Sequence, residues 1–237
     1  QEIVSVIKSI QETPKKAELT EKHVVPVELK RQELASIKLQ AITQEVIQPV
    51  EISVKYNTCV LEQSYLYSSD EFFNSLNQQK IISQINEVLE IEAPISHSLL
   101  SRRILNAWGI SRLGVRLNEY LDSIYSLMEL EYTTQNETKF YWNKNQEPKK
   151  YDVYRVPGDD DARRDANDLA KEEVSCGVIE VLTNQISLPE EDLIRETAKV
   201  FGYARLGGNV QQAMKTGIKL ALDKGLVSIK DERFILP

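Results

Sequence analysis

The sequence predicts a mostly α-helical fold with small β-hairpins, an α+β class. It is organised as two tandem winged-helix-like repeats behind an extended connector. Three observations carry this. The pattern aromatic-Gly-x-x-Arg-Leu-Gly occurs twice, at Trp108–Gly114 and at Phe201–Gly207. The same offset pairs Ile85 with Val178, Glu87 with Glu180, Val88 with Val181, Leu100 with Leu193 and Leu127 with Leu220. After a one-residue slip Phe140 aligns with Phe234. A constant offset held over such a stretch is the signature of a tandem duplication, which has to be recognised before anything else about the fold.

Each copy reads in the same order. An apolar-periodic helix comes first (IISQINEVLEI and EEVSCGVIEVL), with Ile81, Ile85, Val88 and Leu89 on one face. A break carrying Pro94 or Pro189 follows, with Ser96 or Ser187 as the start signal of the second helix. That helix ends at the aromatic-Gly pair, where Gly109 or Gly202 suits a left-handed closing position. A third helix is expected to begin near Arg112 or Arg205, with Leu113, Leu117, Leu121, Ile124 and Leu127 facing inward. Hairpins turning near Asn136 and Asp231 close the copies. Three helices and a terminal hairpin make a winged helix, a relative of the helix-turn-helix.

The expected division is a connector over residues 1–60, a first repeat over 61–145, a linker over 146–167 and a second repeat over 168–237. In the connector, Val50, Ile52, Val54 and Tyr56 alternate as a short edge strand would. Tyr65, Tyr67, Phe72 and Phe73 are expected to cover the first core. The linker holds Pro148, Pro157, Gly158 and the run Asp159–Asp161, read as solvated and leading into a helix N-terminus.

Composition bounds the function. The 237 residues carry a formal net charge of −7, so the chain as a whole is not a basic nucleic-acid glue. No apolar run reaches the roughly 20 residues needed to span a bilayer. Cys59 and Cys176 show no metal-binding spacing, which fits a reducing cytoplasm. The chain opens on Gln1, as expected of a piece of a longer protein.

The blocks IEAPISHSLLSRRILNAWGISRLGVRL and SLPEEDLIRETAKVFGYARLGGNV, joined through YDVYRVPGDDDARRD, carry a resemblance. Over about residues 78–237 the chain resembles the uncharacterised C-terminal domain of very large bacterial proteins that join a superfamily 1 helicase core to an endonuclease-like domain. That pattern usually has Gly where Ala93 stands. The resemblance implies a helicase-associated module, partnered by the helicase and nuclease-like domains of its parent chain. It assigns no catalytic residue here.

No catalytic constellation is found. There is no GxxxxGK[ST] phosphate cradle. His23 and His97 are the only histidines, and neither has metal-ligand spacing. Ser98 beside His97 lacks the third group of a nucleophile triad. No cofactor, metal or small-molecule ligand is expected, and no membrane partner.

The candidate nucleic-acid residues are Arg112, Arg116, Arg205, Asn209, Gln212, Lys215 and Lys219. In a helix-turn-helix module the third helix enters the major groove, and its first turn meets bases and phosphates. Arg112 and Arg205 either hold phosphate there or pair with a carboxylate of their own repeat. The second copy is the better candidate, because residues 204–222 hold three basic residues and no acid, with Asn209, Gln211 and Gln212 able to read base edges. Residues 111–128 instead balance Arg112 and Arg116 with Glu119 and Asp122. The hairpin aromatics Tyr132, Phe140, Tyr141 and Trp142 either stack on unpaired bases or close the core. The expected role is a non-catalytic accessory region contacting DNA near a motor. The alternative is a protein-docking scaffold without nucleic-acid contact; a hidden metal-dependent nuclease ranks third.

Overall fold

The structure is a computed structural model, and it describes residues 53–65, 69–158 and 163–237, all within the unit Val50–Pro237. Most of the expected connector, His23 and the run Asp159–Asp161 lie outside the described residues.

Helix α1, Ser75–Glu92, starts at Asn74, whose side chain accepts a hydrogen bond from the Leu76 N–H at 3.0 Å. It buries Ile81, Ile85, Val88 and Leu89 and stops at Ala93, because a residue before proline disfavours helical backbone. Strand β1, Ser53–Tyr56, precedes it, and the short β2, Ile95–Ser96, follows. Ser96 caps α2, His97–Ala107, by accepting from the Leu99 N–H at 3.1 Å. Trp108 and Gly109 (φ 71°) close α2. After the loop comes α3, Val115–Leu127. Strands β3, Tyr132–Gln135, and β4, Thr138–Tyr141, turn through Asn136 and Glu137, both at positive φ as a two-residue hairpin of this twist requires. The sheet order is β2–β4–β3, with Ile95 opposite Tyr141.

The second half repeats this order. Strand β5, Tyr154–Pro157, lies in the segment between the halves. Then come α4, Lys171–Gln185; β6, Ser187–Leu188; α5, Glu190–Val200; α6, Gly208–Asp223; and the hairpin β7, Ser228–Lys230, with β8, Arg233–Ile235. The sheet order is β6–β8–β7, and the hairpin turns at Asp231 and Glu232. Adding 93 to the bounds of α2 gives those of α5, and the same shift carries the start of α3 onto the start of α6. Gly109 and Gly202 share positive φ, and Gly114 and Gly207 both stand at helix N-caps.

Two apolar cores result. Ile81, Ile85, Leu100, Ile104, Trp108, Leu121, Ile124 and Tyr141 belong to the first. Val174, Val178, Leu193, Ile194, Phe201, Met214, Ile218 and Phe234 belong to the second. The molecule is thus mixed α/β, with six α-helices and three small sheets among the described residues. Within α6, Gly217 sits so close to α4 that an added Cβ would lie 2.3 Å from Val174 Cγ1.

Several expectations need correction. The third helices begin at Val115 and Gly208, three residues after Arg112 and Arg205, because Gly114 and Gly207 stand at the N-caps rather than inside the helices. Leu127 is exposed; Tyr125 takes its place in the core. Ser187 is a strand residue, and Pro189 is the N-cap of α5. The partner of Phe234 is Tyr141, not Phe140: both stand opposite equivalent residues, Leu188 and Ile95, at the unslipped offset, and the second hairpin is simply shorter. Among the described residues, 53–60, 146–158 and 163–167 are not all free connector. β1 pairs in parallel with β5, and Tyr56, Cys59 and Leu61 are buried.

Candidate functional site

The seven candidate residues fall on two surfaces of different character. On the first half, Arg116 is already engaged: its guanidinium lies 3.0 Å from Asp70 Oδ1 and 4.1 Å from the Phe73 ring centroid. Arg112 is exposed in the loop before α3 and has no ion pair or hydrogen bond among the described residues. The remaining charges of α3 are Glu119 and Asp122; Asp122 accepts from Asn118 at 3.0 Å and lies 3.6 Å from His97 Nδ1. His97 is itself held by Asn118 at 2.9 Å and the Tyr141 hydroxyl at 3.3 Å, a structural role.

On the second half, α6 buries Ala213, Met214, Gly217, Ile218 and Ala221. The periodicity that places these inward leaves Gln212, Lys215 and Lys219 on one exposed stripe, with Asn209 in the first turn and Arg205 in the loop before it. From Asn209 to Lys219 the stripe runs about 15 Å at the helical rise. Arg205, Lys215 and Lys219 have no carboxylate partner among the described residues. The contrast with α5 is direct. Its two basic residues are both neutralised, Arg195 by Asp192 at 2.6 Å and Lys199 by Glu196 at 2.7 Å.

A cleft of about 600 Å³ opens at the N-terminus of α6, lined by Arg163, Asp165, Tyr203, Gly207, Asn209 and Val210 among others. No side chain caps that helix end. Its first turn and the positive end of its dipole border a cleft that holds the exposed Arg163, which also donates to the Gly202 carbonyl at 3.4 Å, and the exposed carboxylate of Asp165. Tyr203 donates its hydroxyl to the Arg164 carbonyl at 2.8 Å, which fixes the wall.

The hairpin aromatics are mostly unavailable for stacking. Phe140, Tyr141 and Trp142 are buried, and Trp142 donates its indole N–H to Thr133 at 3.2 Å. Only Tyr132 remains half-exposed, with the Lys139 ammonium 5.0 Å from its ring centroid.

Behind these surfaces lies a cluster that the sequence reading did not single out. Glu173 is fully buried between two arginines of the inter-repeat segment. Arg155 reaches it through Nε at 3.1 Å and Nη2 at 2.8 Å, and Arg164 through Nη1 at 2.7 Å and Nη2 at 2.5 Å. Burial alone would raise the Glu173 pKa, but the two guanidinium charges outweigh it and hold the carboxyl at about 2. The same Arg155 side chain donates to the first half's carbonyls of Glu92 at 2.6 Å, Ala93 at 3.1 Å and Pro94 at 2.8 Å. The Glu92 and Ala93 carbonyls stand at the end of α1 and lack helical partners, and that of Pro94 follows them. Glu92 is buried too, held by Arg103 at 2.8 and 3.1 Å, by the Cys59 N–H at 2.9 Å and by the Tyr56 hydroxyl. Burial and then the Glu92 charge push that phenol up to about 12.

Further links join the halves. Gln135 of β3 accepts from the Lys171 N–H at 2.7 Å, capping α4 from the other half, and donates to the Leu169 carbonyl at 3.2 Å. Asp168 accepts from Arg102 at 2.6 Å, from Ser98 at 3.0 Å and from Ser96.

Among known proteins, residues 70–119 match the model of a family described as a protein of unknown function, DUF3320. The match begins just before α1 and ends inside α3, so it covers α1, α2 and the start of α3 and none of the α6 surface. No curated protein matches the chain. No helix among the described residues is long and apolar enough to cross a membrane.

Proposed function

We propose that this chain is a non-catalytic DNA-contacting module of two tandem winged helices, with α6 as the groove-facing helix. Its setting would be an accessory region of a helicase or nuclease-type parent, which the resemblance suggests. The observation that carries the reading is the unpaired basic stripe of α6. Arg205, Lys215 and Lys219 are exposed and make no ion pair among the described residues, alongside Asn209 and Gln212, with Asp223 the one acid of α6, a turn past Lys219, while the basic residues of α5 are neutralised. Lysine and arginine left free on one face supply phosphate contacts, and Asn and Gln side chains can address base edges. Arg163 and the uncapped start of α6 add a phosphate site at the same end.

The chain's acidic balance makes binding weak and strongly salt-dependent. Fluorescence anisotropy with a short duplex, at about 50 and 200 mM salt, tests it. Replacing Arg205, Lys215 and Lys219 together by Ala should flatten the slope of log affinity against log salt by roughly 3, one per lost phosphate contact. Lys199→Ala on α5 should leave it unchanged. An unaltered slope in the triple variant would falsify the DNA reading and leave the docking-scaffold one.

A further inference from the structure

At the far end of α6 from the basic stripe's start, a second cavity of about 670 Å³ opens between three elements. Tyr151 and Asp152 of the inter-repeat segment form one wall, Cys176 and Ile179 of α4 another, and Leu226 after α6 a third. The size is that of a small-molecule site, and the interior is chiefly apolar. Its mouth is basic: Lys149, Lys150 and Lys224 line it against the single lining acid Asp152. Lys150 is partly committed to Glu147 at 2.9 Å, and Lys224 also feels the buried Glu172. Lys149 has no ion pair among the described residues. The Lys224 ammonium donates to the Lys149 carbonyl at 3.2 Å, which stations it at the rim. The walls are held in place: Tyr151 packs edge-on against Trp142 with centroids 5.2 Å apart, and Cys176 Sγ donates to the Glu172 carbonyl at 3.3 Å. Burial pushes the Cys176 thiol up to about 12, so it adds no negative charge inside.

We propose that this cavity binds a small amphipathic organic anion, an apolar body with one carboxylate or similar group. The body lies against Tyr151, Ile179 and Leu226, and the anion meets Lys149 and Lys224 at the mouth. Complementarity of charge selects the class: a neutral apolar molecule of the same size would leave the ammonium groups without a partner, and a cation would be repelled. The sequence alone predicts no small-molecule ligand, because the lysines, the cysteine and Leu226 come from three separate segments.

Calorimetric titration of the full chain with decanoate, and with decanol as the uncharged match, tests the assignment. Decanoate should bind saturably at one site, about tenfold more tightly than decanol, a difference of ~1.4 kcal/mol. Lys224→Ala should erase that preference, and Lys224→Arg should keep it. Leu226→Glu, a charge placed on a wall residue that is itself partly exposed, should weaken decanoate about tenfold or more with an unchanged melting temperature. Equal binding of the two probes, no saturable binding of decanoate, or indifference to both Lys224→Ala and Leu226→Glu would overturn the proposal.

Discussion

Replacing Glu173 by Gln keeps the shape of the side chain and removes its charge. Arg155 and Arg164 then face each other in the interior with no counter-ion; both are buried almost completely. The magnitude can be worked two ways. Breaking a buried ion pair by removing one partner costs about 3–5 kcal/mol, because the remaining charge stays desolvated. Independently, a carboxyl held at about 2 against an ordinary 4.5 contributes about 3 kcal/mol near neutral pH. The sign follows from the depressed pKa. The contribution is fully present above pH 4.5, where the unfolded group is also ionised, and is lost as pH falls from 4.5 towards 2. Urea unfolding followed by far-UV circular dichroism, from pH 7 down to 3, should therefore show the variant about 3–5 kcal/mol less stable at pH 7. The gap should narrow below pH 4.5. A loss under about 1 kcal/mol at pH 7, or a gap independent of pH, would refute the reasoning. Adding Arg164→Met to the variant should recover part of the loss, since one of the two uncompensated charges is then gone while Arg155 keeps its three carbonyl partners.

Gly202 and Gly109 occupy equivalent positive-φ positions, but a Cβ on Gly202 would lie 2.8 Å from Pro157 Cγ while one on Gly109 meets nothing within 4 Å. Gly109→Ala should cost about 1–2 kcal/mol from backbone strain alone, and Gly202→Ala about 1–3 kcal/mol more, read as urea midpoints; equal costs would show that β5 does not crowd the α5 turn. Ser96→Ala removes the cap of α2 and one of three bonds to Asp168, so it should cost about 1–2 kcal/mol in the same assay. A cost below about 0.5 kcal/mol would mean that Ser98 and Arg102 hold Asp168 without it.

Much of the fold was legible in the residues themselves. The aromatic-Gly closures at Trp108–Gly109 and Phe201–Gly202 are visible because only glycine takes that backbone cheaply, and the hairpin turns fall where Asn136 and Asp231 tolerate positive φ. The apolar faces of α1 and of most of α3 follow from spacing alone. The helix starts were harder. Arg112 and Arg205 look like first-turn residues, yet Gly114 and Gly207 carry extended backbone and delay the helix. Leu127 keeps the apolar period but lies past the point where α3 still faces its core. Of the candidate site, the α6 stripe could be read directly, since its exposure follows from the inward positions of Met214 and Ile218. What hid Arg155 and Arg164 was their setting. They stand among Pro, Gly and Asp residues that signal a solvated linker, and their partners are a carboxylate in another element and backbone carbonyls, which leave no trace in side-chain pattern. The basic-mouthed cavity was invisible for the same reason.

The arginine clasp between the halves also sets a spacing. With Arg155 holding the end of α1, Glu173 and the turn at Pro94, and with Gln135 seated on the first turn of α4, the two third helices cannot swing apart as beads on a string. Any partner meeting both would find them at one preset spacing, written into the protein before contact. Insertions or deletions within residues 146–167 would then act less like a changed tether length than like a shifted gear tooth.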